Sequence, residues 1–151
     1  MPAITVTAPP PFAQPVMQCV SRAANEYKVP KIVLLAIIKT ESNGNAKAVH
    51  RNDNGTIDIG LMQINSSWAN KLSSQYGIKD IKKHLIEPCY NVRVGAWILG
   101  RELAINEGWH NNRDFWMRIG NYHSHSSYYN HDYQKKLAKN IRWIAYNTKW
   151  W

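Results

Sequence analysis

The chain lacks several features that would place it in other classes. No apolar run approaches the roughly 20 residues that span a bilayer; the longest extends from Ile32 to Ile38. Residues Met1 to Pro15 carry neither a basic n-region nor an apolar h-region, so no secretory signal is visible. An exported protein with this sequence is a mature form with an added Met, or takes another route. No internal repeat, no second domain and no nucleic-acid-binding motif is present. Cysteine is scarce: Cys19 and Cys89 stand alone, either as two buried thiols or as one bridge across a long loop. A bridge would imply an oxidising compartment. Acidic residues are also few, ten against nineteen basic ones, giving a net charge of +9. That balance favours a polyanion such as nucleic acid, anionic lipid or an acidic cell-wall polymer. The local basic clusters, Lys79/Lys82/Lys83 and Lys135/Lys136/Lys139/Arg142, read singly as solvated helix faces.

At 151 residues and 44% hydrophobic content, the chain suits one soluble domain with a single core. Residues 1–15 contain five prolines (Pro2, Pro9, Pro10, Pro11 and Pro15) and read as an extended, flexible N-terminal arm. The domain is expected over 16–151. Val16, Val20, Ala23, Ala24 and Tyr27 recur at helical spacing. Pro30 suits the first turn of a second helix through Thr40, which is apolar on nearly every side. Asn54-Gly55, flanked by Val49, Ile57 and Ile59, signals a hairpin, the one convincing β element. Ser66 or Ser67 is expected to cap a helix stopped by Gly77, and Asp80 to cap a short one. Cys89 to Glu107 shows the longest helical pattern, ended by Gly108. Two more helices are expected over Asp114 to Tyr122 and Asp132 to Tyr146, with a polar loop, Ser124 to His131, between them.

Chemistry concentrates between Lys39 and Ser67. Glu41 closes the apolar helix, where desolvation and the negative end of the helix dipole both raise a carboxyl pKa. A general acid working near neutrality needs that shift. Asp58 follows 17 residues later, after the hairpin. Glycosidic bond cleavage commonly needs a proton-donating carboxylic acid and a group that stabilises the developing cation, and this stretch offers both. Gly60 allows close backbone approach. Gln63 and Asn65 carry amides suited to sugar hydroxyls and N-acetyl groups. Against this stands the ordinary reading: a solvated helix-terminal Glu, with Leu61 and Ile64 in the core and Asn65 as a turn residue. His123, His125 and His131 fit the residue types of a zinc site. A polar loop solvates them equally well, and no second shell is identifiable, so no metal is expected. Trp68, Trp109 and Trp116 are candidates for stacking on sugar faces.

Four segments together resemble a known family. Glu41-Ser42 followed by Gly60-Leu61-Met62-Gln63 resembles the first two motifs of the lytic transglycosylase (SLT) domain. Asn91-Val92-Arg93-Val94-Gly95-Ala96 is similar to that family's long-helix signature, and Tyr133 suits its fourth motif. Tyr122-His123-Ser124 resembles the third motif in the small members that accompany secretion, conjugation and pilus systems. The resemblance covers about residues 15–146.

It implies an α+β, mostly α, lysozyme-like single domain, with a small β-hairpin beside the active-site cleft. It implies peptidoglycan glycan strands as substrate, and envelope-spanning secretion or pilus components as partners. The location implied is periplasmic or exported. No cofactor, no nucleic acid and no membrane span is implied. Glu41 and Asp58 are the expected catalytic residues. Ser42, Gly60, Met62, Gln63, Asn65, Asn121, Tyr122 and Tyr133 are the expected substrate site, with Ser42 and Tyr133 positioning Glu41. Cys19 and Cys89 sit where that branch often has a bridged pair. There are two departures. The third motif is commonly Ala-Tyr-Asn-x-Gly, whereas here it is Gly120-Asn121-Tyr122-His123-Ser124. Most lytic transglycosylases use one Glu and have no counterpart of Asp58. The run from Gly55 to Ser66, and the Glu-to-Asp spacing, instead resemble animal-type lysozymes, whose Asp in this position is the nucleophile or cation stabiliser.

Overall fold

The computed structural model describes residues 14–147. Most of the Pro-rich arm, and the last four residues of the chain, lie outside the described residues. Gln14 and Pro15 do not belong to the arm, because they form the first turn of helix α1 (Gln14–Tyr27). Proline is tolerated there, since the first-turn N–H groups have no partner within the helix.

The centre of the molecule is α2 (Lys31–Ser42). Val33, Leu34, Leu35, Ala36, Ile37 and Ile38 are all buried, so the helix is enclosed on every side along its middle. It is covered by α1 on one side and by α7 (Ser127–Tyr146) on another. Asn43, in the left-handed conformation, ends it and donates its backbone N–H to the Lys39 carbonyl. Glu41 and Ser42 therefore occupy the last helical turn, where the core meets the surface.

The chain then forms a three-stranded antiparallel sheet in the order β1 (Val49–Arg51), β2 (Ile57–Ile59) and β3 (Ile64–Asn65). The Asn54-Gly55 turn joins the first two strands. The third strand was not expected, because Gly60 to Gln63 reads as loop and Ile64-Asn65 is too short to show alternation. Asp58 lies on the central strand, opposite His50 on one side and Asn65 on the other.

Helix α3 (Ser66–Tyr76) is capped by Asn65, not by Ser66 or Ser67. The Asn65 side-chain oxygen accepts from the Ser67 N–H at 2.9 Å. Gly77 ends the helix in the left-handed conformation, as expected. Asp80 precedes α4 (Ile81–His84), but its side chain makes no cap. Helix α5 (Pro88–Ala104) starts under a Glu87 cap that accepts from the N–H groups of Cys89 and Tyr90. It ends three residues short of the expected limit, passing into a 3₁₀ turn over Ile105–Glu107. Helix α6 (Asn112–Gly120) follows. The longest helix is α7, not α5: Ser127 to His131, expected in a loop, form its first turns. Asn130 explains why. It is buried, and its side-chain amide donates to the carbonyls of Met117 and Ser124 and to the Asn121 side chain, fixing the α6–α7 corner. Gly120 must be glycine here, since a Cβ would stand 2.2 Å from Asn130 Oδ1.

Cys19 on α1 and Cys89 on α5 form a disulfide, with Cα atoms 5.2 Å apart. It ties the N-terminal helix to the middle of the chain, on the face where α1 and α5 already pack.

Candidate active site

A cleft of about 400 Å³ opens between the end of α2 and the sheet, with Glu41 on one wall and Asp58 on the other. The two carboxyl groups reach it by different routes.

Glu41 is mostly buried, on the last turn of the apolar helix. Its carboxyl pKa is raised from 4.5 to about 7. Burial is the main cause, because charge is disfavoured away from water; the negative charge of Asp58 adds to it. Two groups oppose the shift: the Tyr133 hydroxyl, which donates to Glu41 Oε1 at 2.6 Å, and the Lys136 ammonium. Near neutrality Glu41 is therefore divided between acid and carboxylate, the state a proton donor that later takes a proton requires. Tyr133 comes from α7, 92 residues along the chain, and is almost fully enclosed. Its hydroxyl pKa is pushed well above the usual value by burial and by Glu41, so it remains a donor. The His123 ring stacks on the Tyr133 ring at 4.8 Å, with 12° between planes.

Asp58 sits among amides. Asn52 donates to its Oδ2 at 3.0 Å and Asn65 to its Oδ1 at 2.8 Å. Thr56 Oγ1 accepts from the same two amides, at 3.1 Å from Asn52 and 3.0 Å from Asn65. Strand register produces this cage: Asn65 is the cross-strand partner of Asp58, and Asn52 and Thr56 close the β1–β2 turn. Both oxygens of Asp58 are thus held by neutral donors that fix its direction.

Of the other expected residues, Gln63, Asn65 and Tyr122 line the cleft. Gln63 adopts a positive φ of 50°, and its amide donates to the carbonyls of Ala48 and Gly60, bracing the loop between β2 and β3. The Tyr122 hydroxyl donates to the Met62 carbonyl at 2.8 Å, and burial holds its pKa well above the usual value.

Five expected substrate residues do not line the cleft. Met62 is fully buried, with its sulfur against Gly95, because the site's loop is anchored through it. Gly60 faces the interior: a Cβ there would meet Asn91 Nδ2 at 2.2 Å, so the glycine permits close packing on Asn91. The Asn121 side chain is engaged by Asn130 and Glu102, away from the carboxylates. Ser42 donates to the Leu61 carbonyl at 2.7 Å and so clamps the end of α2 to the loop. Tyr133 lies beneath the surface, reaching Glu41 alone.

Other residues also line the cleft: Asn52, which no motif named, His123 of the third motif, and the apolar side chains of Ile64 and Ile98. Asn52 was findable, since a hairpin centred on Asn54-Gly55 folds it back toward Thr56. Asn91 was placed only within a signature. It is fully buried, donates to the carbonyls of Ile59 and Leu85 and accepts from the Met62 N–H, all at 2.8 Å. One side chain thus hangs the loop carrying Asp58 onto α5. Nothing in its residue type announced this. Trp68 lines the cleft, whereas Trp109 packs edge-to-face on Phe115 away from it, as does Trp116. The three histidines are dispersed: His125 faces Glu102 and His123 faces Tyr133. Among the described residues no group of three or more His, Cys, Asp or Glu side chains is placed to hold a metal ion.

Comparison with known proteins gives a family match over residues 18–144, to the Transglycosylase SLT domain. Invasion protein IagB of Salmonella typhimurium is 34% identical over 128 residues, 85% of this chain and 74% of that protein. Protein IpgF of Shigella flexneri is 33% identical over 93 residues, 60% of this chain and 59% of its own length. An X polypeptide of Escherichia coli is 32% identical over 132 residues, 87% of this chain and 69% of that protein.

Proposed function

The chain belongs to the Transglycosylase SLT domain family, with that family's lysozyme-like fold, and from this premise we propose that it is a peptidoglycan lytic transglycosylase. The bond cleaved is the β-1,4 link from N-acetylmuramic acid to N-acetylglucosamine. Glu41, protonated, gives its proton to the linking oxygen, and the bond to the anomeric carbon breaks. Asp58, aimed by Asn52 and Asn65, stabilises the positive charge that develops, together with the substrate's N-acetyl group. The 6-hydroxyl of the muramic sugar then attacks the anomeric carbon, and its proton passes to the Glu41 carboxylate. The products are a shortened strand and a 1,6-anhydro end, with no water consumed. Glu41 regains its proton, so the cycle closes.

The observation that carries this reading is Glu41 itself: a carboxyl on the wall of a cleft, raised to about 7 and held by a buried tyrosine hydroxyl. The positive net charge suits an anionic wall polymer. The similarity to an invasion protein supports a role in which local opening of the wall serves a secretion, conjugation or pilus machine, in the bacterial envelope. Mass analysis of the products from purified peptidoglycan is the test. Anhydro ends are expected, one water lighter than hydrolytic ends, and reducing muramic ends as the sole products would defeat the assignment.

A second reading has one observation in its favour. The amide-caged Asp58 is what a lysozyme-type muramidase would use, with water in place of the 6-hydroxyl. The same mass analysis separates the two.

A further inference from the structure

Trp68 has two roles in the molecular surface. It lines the cleft, and it also lines a neighbouring groove of about 600 Å³, so the two depressions share this side chain as a common wall. In the groove, α3 contributes Trp68 and Lys71, three residues apart, and α5 contributes Trp97 and Arg101, four apart. Each spacing puts a ring and a cation on one helix face. The two indoles meet edge to face at 5.7 Å. The Arg101 guanidinium lies 4.9 Å from the Trp97 ring centre and 5.5 Å from that of Trp68, and Lys71 Nζ lies 5.0 Å from Trp68.

The electrostatics of this place are one-sided. Three cations elsewhere meet carboxylates: Arg93 with Glu26, Arg118 with Asp114, Lys136 with Asp132. Lys71 and Arg101 form no such ion pair among the described residues. No acidic side chain lines the groove; Asn70, Ser74 and Gln75 supply its remaining polar groups. Ring contacts restrain both cations without neutralising them, so little order is lost when an anion arrives. An arginine presented this way offers paired N–H groups to a carboxylate.

We infer that this groove is a carboxylate-binding subsite for the wall-polymer strand whose sugars occupy the cleft. This rests on the functional reading above and names the part of the substrate that a carboxylate-free sugar chain lacks. A carboxylate on such a strand has two sources: the peptide stem, or the lactyl group of a muramic residue from which the stem has been removed.

The test measures binding by calorimetry at low salt in a Glu41→Gln background, so that cleavage does not interfere. Three ligands are compared: stem-bearing glycan strands, amidase-stripped strands with free lactyl groups, and a carboxylate-free chitin oligosaccharide. Lys71→Gln combined with Arg101→Gln is expected to weaken carboxylate-bearing strands about tenfold and leave the chitin oligosaccharide unchanged. Loss on stem-bearing strands alone assigns the stem as source, loss on stripped strands alone assigns the lactyl group, and loss on both shows that the groove takes either carboxylate. Arg101→Lys, which keeps the charge but loses the paired N–H groups, is expected to weaken carboxylate-bearing strands less than Arg101→Gln does, in the otherwise unaltered groove. Equal loss on all three ligands, or no loss on any, overturns the inference while the functional reading stands. A Glu41→Gln parent that binds none of the three, with an unsubstituted enzyme that cleaves no wall polymer, overturns both.

Discussion

The two walls of the cleft solve opposite problems with the same chemical group. Glu41 stands on a helix whose middle, Val33 to Ile38, is entirely buried, and its one close hydrogen-bond donor among the described residues is Tyr133. Apolar surroundings make its proton hard to lose. Asp58 stands on a sheet whose neighbouring side chains are amides and a hydroxyl, and both of its oxygens accept hydrogen bonds. Polar surroundings fix the direction of both oxygens. The element beneath each carboxyl group sets its surroundings: a core helix supplies desolvation, and a small sheet supplies donors at fixed register.

The largest effect should come from removing the proton of the first wall. Glu41→Gln keeps the side chain's shape, and turnover on peptidoglycan is expected to fall at least a thousandfold, about 4 kcal/mol of barrier. Dye release with purified variant is the check, and retained turnover would remove Glu41 from the mechanism.

The same wall should show itself in stability. A carboxyl raised from 4.5 to about 7 binds its proton more tightly in the folded than in the unfolded chain. The stability it contributes is therefore fully present below pH 4.5 and is lost as pH rises through about 7. The expected loss is about 3 kcal/mol, and Glu41→Gln should abolish it. Denaturant melts of both proteins at acid and mildly alkaline pH measure this. A parallel pH dependence in the two would show that Glu41 is not the desolvated group.

Breaking the second wall should cost somewhat less in rate. Asp58→Asn keeps the shape and removes the charge, with an expected loss of about a hundredfold, near 3 kcal/mol. A variant of near parental rate would reduce Asp58 to a structural member of the sheet and leave substrate assistance to stabilise the cation.

The smallest effect sharpens the comparison. Tyr133→Phe takes away the one hydrogen bond that favours the Glu41 carboxylate. The alkaline limb of the pH–rate profile should move to higher pH, while kcat falls about tenfold through lost orientation. An unmoved limb would mean that the tyrosine only packs. The disulfide offers a control away from both walls. Cys89→Ser should lower stability by about 4 kcal/mol for so long a loop, without moving the pH profile.

Much of this was legible in the chain. The unbroken apolar stretch before Glu41 already predicted burial and a raised pKa, because desolvation follows from which residues precede a helix end. The Asn54-Gly55 turn announced the hairpin that carries Asp58. The residues that proved unreadable share a property: their partners are far away in sequence. Asn91 binds atoms up to 32 positions distant. Tyr133, which finds Glu41 across 92, was expected there only through the family resemblance. Met62 and Gly60 sit in a motif that resembles a substrate site, yet they hold the loop to α5. A motif records which residues occur together, not which way each side chain faces.

By itself, then, the sequence determined the periodic elements, the helix end that desolvates Glu41 and the spacing that brings a second carboxylate after a turn. These depend on neighbours within a few positions, where propensity and periodicity act. Tertiary structure alone decided that Asn91 would hang the turn between β2 and β3 on α5, that Asn52 and Asn65 would cage Asp58, and that Lys71 and Arg101 would share one groove without an acid. Those pairings arise when α7 closes on α2 and α5 receives the sheet, and the packing that selects them is a property of the whole core.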